Sequence, residues 1–336
     1  MNKKNVLFLT FIFFAYSLFC VPTAAKTPVS FSIKPELGFI YGTIYENVWR
    51  ADTTISGNQT ISTPVSKESQ LDWQLQNAMY TGADINLIFS KHFSVDFDFK
   101  TAFAGIAGIM EDYDWLNPEN WPKDPEDELT NYSYHDNYLS NFSQIKFLFG
   151  YTFILNPDFD LTITPKLGFE TQRFYFSGNG GYKTYKSEGW ETITFGKNTP
   201  VIKYSQAFLA PYAGVSVHTD FLKYFAADLS LGLLYADHID AYDDHILKHN
   251  TGRACYFNDR LENVFIFDAA LELLFKLSQH NRIGFKGTIQ VCPKVYGFTF
   301  YSRTSFKDLS DIPFSSELGG SSRLLFSYAL VYQFKF

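Results

Sequence analysis

Apolar and polar residues alternate with a period of two along most of this chain, which is the signature of strands with one oily and one wet face. In the stretch 71–89, Leu71, Trp73, Leu75, Met79, Ala83, Ile85, Leu87 and Phe89 alternate with positions that include Asp72, Gln74, Asp84 and Asn86. The split recurs at Phe93, Val95, Phe97 and Phe99 against Asp96, Asp98 and Lys100, and at Phe265, Phe267, Leu271, Leu273 and Phe275 against Asp268, Glu272 and Lys276. The last strand carries Leu324, Phe326, Tyr328, Leu330, Tyr332, Phe334 and Phe336 on one face. Any one of these strands suits a soluble sandwich. The connections decide against that. Tight turns near residues 90–92, 156–158, 220–223 and 278–281 alternate with long connections near 47–69, 111–137, 179–199, 243–262 and 304–319. Short turns at one end and long loops at the other describe a ten-stranded antiparallel transmembrane β-barrel of the outer-membrane type. The strand at 200–218 is the least regular of the ten.

In such a barrel Asp72, Asp84, Asp96, Asp98, Lys100, Lys146, Lys166, Asp228, Asp268, Glu272, Lys286 and Lys335 face inward, where opposite charges pair across a lumen that side chains largely fill. Composition agrees: aromatics make up 19% of the chain, and past the N-terminus no run of about 20 apolar residues could form a spanning helix. Lysines, then the apolar block Val6–Phe19, then Thr23-Ala24-Ala25 predict a signal peptide over 1–25 and a single barrel domain over 26–336. A lipid anchor on Cys20 is the alternative, with bulky Phe19 against it. Loss of residues 1–25 removes two lysines and no acid, moving the formal charge from −7 to −9, which excludes nucleic acid as a partner. Cys255 and Cys292 are expected to be unpaired.

Two stretches carry candidate chemistry. Asp112 and Asp114 follow a strand whose period puts both on one face, so each carboxylate opposes ionisation of the other. Spacing alone favours an acidic loop tip in water. If Phe93–Phe99 face lipid and no bulge intervenes, however, both look into the barrel mouth, and the same count on the first strand turns Glu46 inward at that rim. The second stretch is Asp243-Asp244-His245, where a carboxylate two residues away can hold one ring nitrogen and leave the other to take a proton. Simple alternation from Leu231, Leu233 and Tyr235 aims Asp243 and His245 at lipid, so a bulge is required between them. A metal is the rival reading, with His218, His238 and His249 nearby, but no spacing repeats a zinc pattern.

Four motifs resemble the omptin family of outer-membrane proteases: S-Q-L-D-W at 69–73, D-Y-D-W at 112–115 followed by N-P-E-N-W, P-Y-A-G at 211–214, and D-D-H at 243–245. The resemblance covers essentially the whole chain after residue 25. It implies an aspartic-type endopeptidase without a covalent acyl-enzyme, working at the outer surface of the cell. Asp112 and Asp114 would form one wall, with Asp243 orienting the general base His245 on the other, and the attacking water between Asp112 and His245. Basic polypeptides are the substrates it implies, the residue before the bond being read by two acids. One matches Glu46. The other falls on Ala241, beside Asp240, and the acid for the residue after the bond falls on Lys123, beside Asp124.

Members also bind lipopolysaccharide through a basic and aromatic patch. Here Arg173 matches, while Phe169, Thr171 and Ala207 do not, so the expectation is an incomplete lipid site, an otherwise cofactor-free monomer and outer-membrane lipid as its surroundings. Two other functions fit the same barrel: an adhesin or surface-binding protein with weak or no catalysis, and a passive pore.

Overall fold

The computed structural model describes residues 29–56, 59–89, 92–115, 129–186, 190–249, 255–302 and 317–336. The region expected to be a signal peptide, and Lys123 and Asp124, lie outside them. Twelve strand segments are present among the described residues: β1 (Val29–Ser56), β2 (Gln59–Phe89), β3 (Phe93–Ala102), β4 (Gly105–Asp114), β5 (Asn131–Tyr151), β6 (Phe153–Asn156), β7 (Leu161–Lys186), β8 (Trp190–Leu222), β9 (Phe225–Asp244), β10 (Tyr256–Lys276), β11 (Asn281–Ser302) and β12 (Glu317–Lys335). Segments β3 and β4 both lie between β2 and β5, and β6 continues β5 along β7, so the twelve make ten antiparallel barrel strands. Pairing of β1 with β12, from Ser32 opposite Lys335 to Arg50 opposite Glu317, closes the ring. Closure leaves no sheet edge, as lipid demands.

The long connections are largely strand. Stretches 47–69 and 179–199, expected as loops, are hairpins in which β1 runs on to Ser56 and β8 starts at Trp190. Thr, Ile, Val and Tyr recur in these stretches and favour pairing with or without a membrane around them. Residues 200–218 also prove more regular than expected: Ile202, Tyr204, Gln206, Phe208, Ala210 and Tyr212 are buried in strict alternation.

Leu229, Leu231, Leu233 and Tyr235 on β9, Phe265, Phe267, Leu271, Leu273 and Phe275 on β10, and Leu324, Phe326, Tyr328, Leu330 and Phe334 on β12 are exposed, a continuous apolar band suited to acyl chains. Behind the band the lumen is charged. Lys34 bridges to Glu272 at 2.7 Å, Lys286 to Asp84 at 3.0 Å and Glu36 at 3.1 Å, Lys146 to Glu170 at 3.0 Å and to Asp268, and Lys166 to Asp96 at 3.0 Å. All of these groups but Glu36 and Glu170 line a cavity of about 660 Å³ in the half of the barrel with the short turns. Each cation is desolvated but surrounded by acids, the condition under which a buried charge is tolerated.

Above the band the alternation of β2 inverts. Leu71, Trp73 and Leu75 are buried in the lumen at 3%, 0% and 2% exposure, whereas Asp72, expected inside, points outward and accepts from Gln70 at 2.7 Å. The cause is a bulge. Gly42 pairs with Leu75 and Ile40 with Ala78, so one extra residue of β2 shifts every side chain above it to the other face. Trp73 thereby joins an aromatic layer across the lumen, stacked 5.5 Å from Phe176 and 5.4 Å from Tyr204, with Phe174 4.7 Å from Phe142.

A test follows from the two registers. Leu231→Arg, in the band, should cost about 2–4 kcal/mol of unfolding free energy in lipid vesicles. Asp72→Arg, outward but above the band, should stay within about 0.5 kcal/mol. Comparable costs would contradict the shifted register of β2.

Candidate active site

Above the apolar band two walls face each other across the lumen. The first is β4, held between Leu71 of β2 and Ser133 of β5 at the level of Asp112. The condition that no bulge intervene is not met: the strand breaks after Ala102, and its register shifts again between Ile106 and Gly108. The two irregularities cancel, so Met110 is fully buried and Asp112 and Asp114 share its inward face. Gly108 permits the second shift, because a Cβ there would stand 2.3 Å from the Gln74 carbonyl oxygen. Asn131 Nδ2 donates to Asp114 Oδ2 at 3.1 Å, and Ser133 Oγ donates to Asp112 Oδ2 at 3.4 Å. Asp112 Oδ1 is buried without a hydrogen-bond partner among the described residues. Burial, and then the negative charge of Asp114, push the Asp112 carboxyl up to about 7.

The second wall is β9. Ala226, Leu234 and Ala236 are buried below, and Ile239, Ala241 and Asp243 above, so the parity changes across Asp237–His238. Opposite it on β10 stand Glu262 and Asn263, the latter in the left-handed region at φ 54°. This is the break that the approach of Asp243 and His245 requires. His245 comes directly after β9, its backbone N–H donating to Cys255 O at 3.0 Å. Its Nε2 lies 2.8 Å from Asp243 Oδ2, and its ring meets Phe257 edge-on at 5.5 Å. Asp243 is 3% exposed, and its Oδ1 has no hydrogen-bond partner among the described residues.

The aromatic layer floors the cleft: Tyr204 pairs with Asp243 in register, and Trp73 with Met110, one step below Asp112. The charges of His245 and Asp243 both act on Asp112, as does that of Lys183. The structure therefore brings Asp112, Asp114, Asp243 and His245 together. Glu46 joins them, 2% exposed, accepting from Trp73 Nε1 at 3.4 Å. Burial first, then Asp243 and Asp259, hold its carboxyl well above the usual range.

Other candidates separate. Ala241 faces the lumen, and Asp240 is exposed on the outer surface, opposite Arg260. Arg173 is exposed on the outer wall, 5.8 Å over the Tyr175 ring, while Thr171 spends its hydroxyl on the Phe208 carbonyl at 2.8 Å. His238 sits outside beside Asp237, and His218 is tied to Asp228 at the opposite end of the barrel, so neither converges on His245. The side chain of His249 is outside the described residues. Cys255 and Cys292 are both buried, and no disulfide joins them among the described residues. Sequence reasoning missed Asp259, Lys183 and the Trp73–Tyr204 floor. The first two sit on stretches read as loops, and the floor was assigned to the wrong face.

With this geometry in place, comparison with known proteins is informative. The model of the omptin family matches residues 27–297. The chain is 27% identical over 233 residues to the plasminogen activator of Yersinia pestis, covering 68% of this chain and 66%, just under two thirds, of that protein. It is 23% identical over 273 residues to protease 7 of Escherichia coli O157:H7, covering 79% and 78%. Outer membrane protease OmpT of Escherichia coli superposes with a TM-score of 0.72 at 19% identity, over 94% of this chain and 99% of that one, a likeness of fold. Match, barrel and cleft agree, and the chain belongs to the omptin family of outer-membrane proteases.

Proposed function

We propose that this protein is an endopeptidase that cleaves basic polypeptides outside the cell, using water held between Asp112 and His245. The observation that carries the reading is the pairing of a 2.8 Å Asp243–His245 contact on one wall with an unpartnered, buried Asp112 oxygen on the other. With Nε2–H donated to Asp243, His245 Nδ1 presents a lone pair. A water donating to Nδ1 and to Asp112 Oδ1 has its oxygen lone pair aimed into the cleft. As that oxygen bonds to the scissile carbonyl carbon, its proton passes to Nδ1 and Asp243 stabilises the imidazolium. The C–N bond of the tetrahedral adduct then breaks as the imidazolium returns the proton to the departing amine, leaving a carboxylic acid and an amine and no bond to the enzyme. Burial, with the negative charge of Asp114 added to it, is what raises the Asp112 carboxyl.

Glu46 at the floor, its carboxyl ionising as a cationic side chain approaches, supplies the counter-charge for that side chain, and the acidic chain draws cationic peptides by its field. Residues 1–25 serve to export the chain. Arg173 gives a lipopolysaccharide phosphate a single cation, so the dependence of activity on that lipid is weak.

Refolded in detergent, with and without lipopolysaccharide, the protein should cut a peptide library rich in Arg and Lys in both conditions. Absence of cleavage in both would refute the reading. Asp112→Asn should lower kcat/KM by about 10²–10⁴-fold and yet stabilise the barrel at alkaline pH. Because the folded state holds the Asp112 proton up to about 7 rather than 3.8, its contribution is intact below the lower value and lost as pH rises through the upper one. Thermal unfolding of both proteins between pH 4 and 8 checks this, since the gap in favour of the Asn variant should widen with pH.

A further inference from the structure

The lumen treats its acids in two ways. Below the aromatic layer, Glu36, Asp84, Asp96, Glu170, Asp268 and Glu272 each have a lysine within 4 Å. Above it, Glu46, Asp243 and Asp259 act on one another through space, and all three act on the Tyr204 hydroxyl. Asp259 lies on β10 directly opposite Ala241, so its inward carboxylate stands one strand away from a position that carries only a methyl group. It is 3% exposed, and Thr299 Oγ1 donates to its Oδ1 at 2.6 Å. Room for it comes from Gly319 of β12, where a Cβ would lie 2.4 Å from the Asp259 Cγ. Asp243, also buried, has an oxygen with no hydrogen-bond partner among the described residues. Three carboxylates over an aromatic floor, with one oxygen unsatisfied, form a receptor for a group that brings both positive charge and hydrogen-bond donors.

Resting on the endopeptidase reading, we infer that Asp259 determines specificity: with Glu46 it receives the guanidinium or ammonium of the substrate residue before the scissile bond. The acid that Ala241 lacks is supplied from the neighbouring strand. A cationic side chain reaching past Asp243 lies along Tyr204, with Glu46 on one side and Asp259 on the other, which places its own carbonyl at the level of Asp112 and His245. The pocket opens toward β10 rather than β9, and a planar guanidinium, able to meet two carboxylates at once, fits it better than an ammonium.

The test uses the full-length refolded protein and two peptides that differ only in Arg or Gln before the bond. In the unaltered protein kcat/KM should favour Arg. Asp259→Asn keeps an acceptor for Thr299 and removes the charge, and should reduce the Arg-over-Gln ratio at least tenfold, mainly through KM for the Arg peptide. Adding Ala241→Asp to Asp259→Asn should return much of the ratio by restoring the acid across the strand pair. An unchanged ratio in a folded Asp259→Asn variant, shown by intact barrel circular dichroism, overturns the assignment of Asp259 and leaves the protease reading standing. Failure of the unaltered protein to cut either peptide refutes the protease reading and this assignment together.

Discussion

A strand has a period of two, and one extra residue exchanges its faces. That constraint governs this barrel. In the membrane band the interior must be polar enough to pair lysines with acids and the exterior must be apolar. Above the band the requirement is opposite: the outer surface is wet, and the lumen needs apolar bulk to seal the charged cavity beneath. β7 meets both in one alternation, its inward residues changing from Glu170 and Gln172 to Phe174 and Phe176, but other strands must exchange faces. The shifts at Leu75–Ala78 in β2 and across Asp237–His238 in β9 reconcile them, while the break after Ala102 and the shift at Ile106–Gly108 within β4 cancel. Each belongs to the structure as much as the pairing around it.

The same shifts create the chemistry. Without the one in β9, Asp243 would point out of the barrel, away from the cleft. With it, Asp243 holds His245 at 2.8 Å over the cleft. The aromatic layer of Trp73, Phe176 and Tyr204 serves both ends. It caps the ion-paired lumen, which makes a conducting pore a poor description, and it gives the cleft a dry floor that keeps Asp112 protonated to about 7.

Much of this was legible in the sequence, and the failures have a physical pattern. Outward Phe265–Phe275 and Leu324–Phe334 were readable because lipid imposes one pattern without interruption over those residues. Asp112 and Asp114 were placed on the correct face by a count that assumed no bulge, and it succeeded because two irregularities cancel. Asp72 was misplaced because nothing in Leu71-Asp72-Trp73-Gln74-Leu75 distinguishes an oily face in lipid from one in a sealed lumen. Asp259 escaped notice because its partner at Ala241 is fixed by register between strands, which no motif within one strand records.

The central claim is that Asp112 and His245 act on one water from opposite walls. A double-mutant cycle on kcat/KM with Asp112→Asn and His245→Gln tests it most directly. Groups that work as one unit are strongly non-additive, so the double variant should lose little more than the worse single variant, a coupling of at least about 2 kcal/mol. Additive losses, or measurable turnover in the double variant comparable to the unaltered protein, would contradict the account.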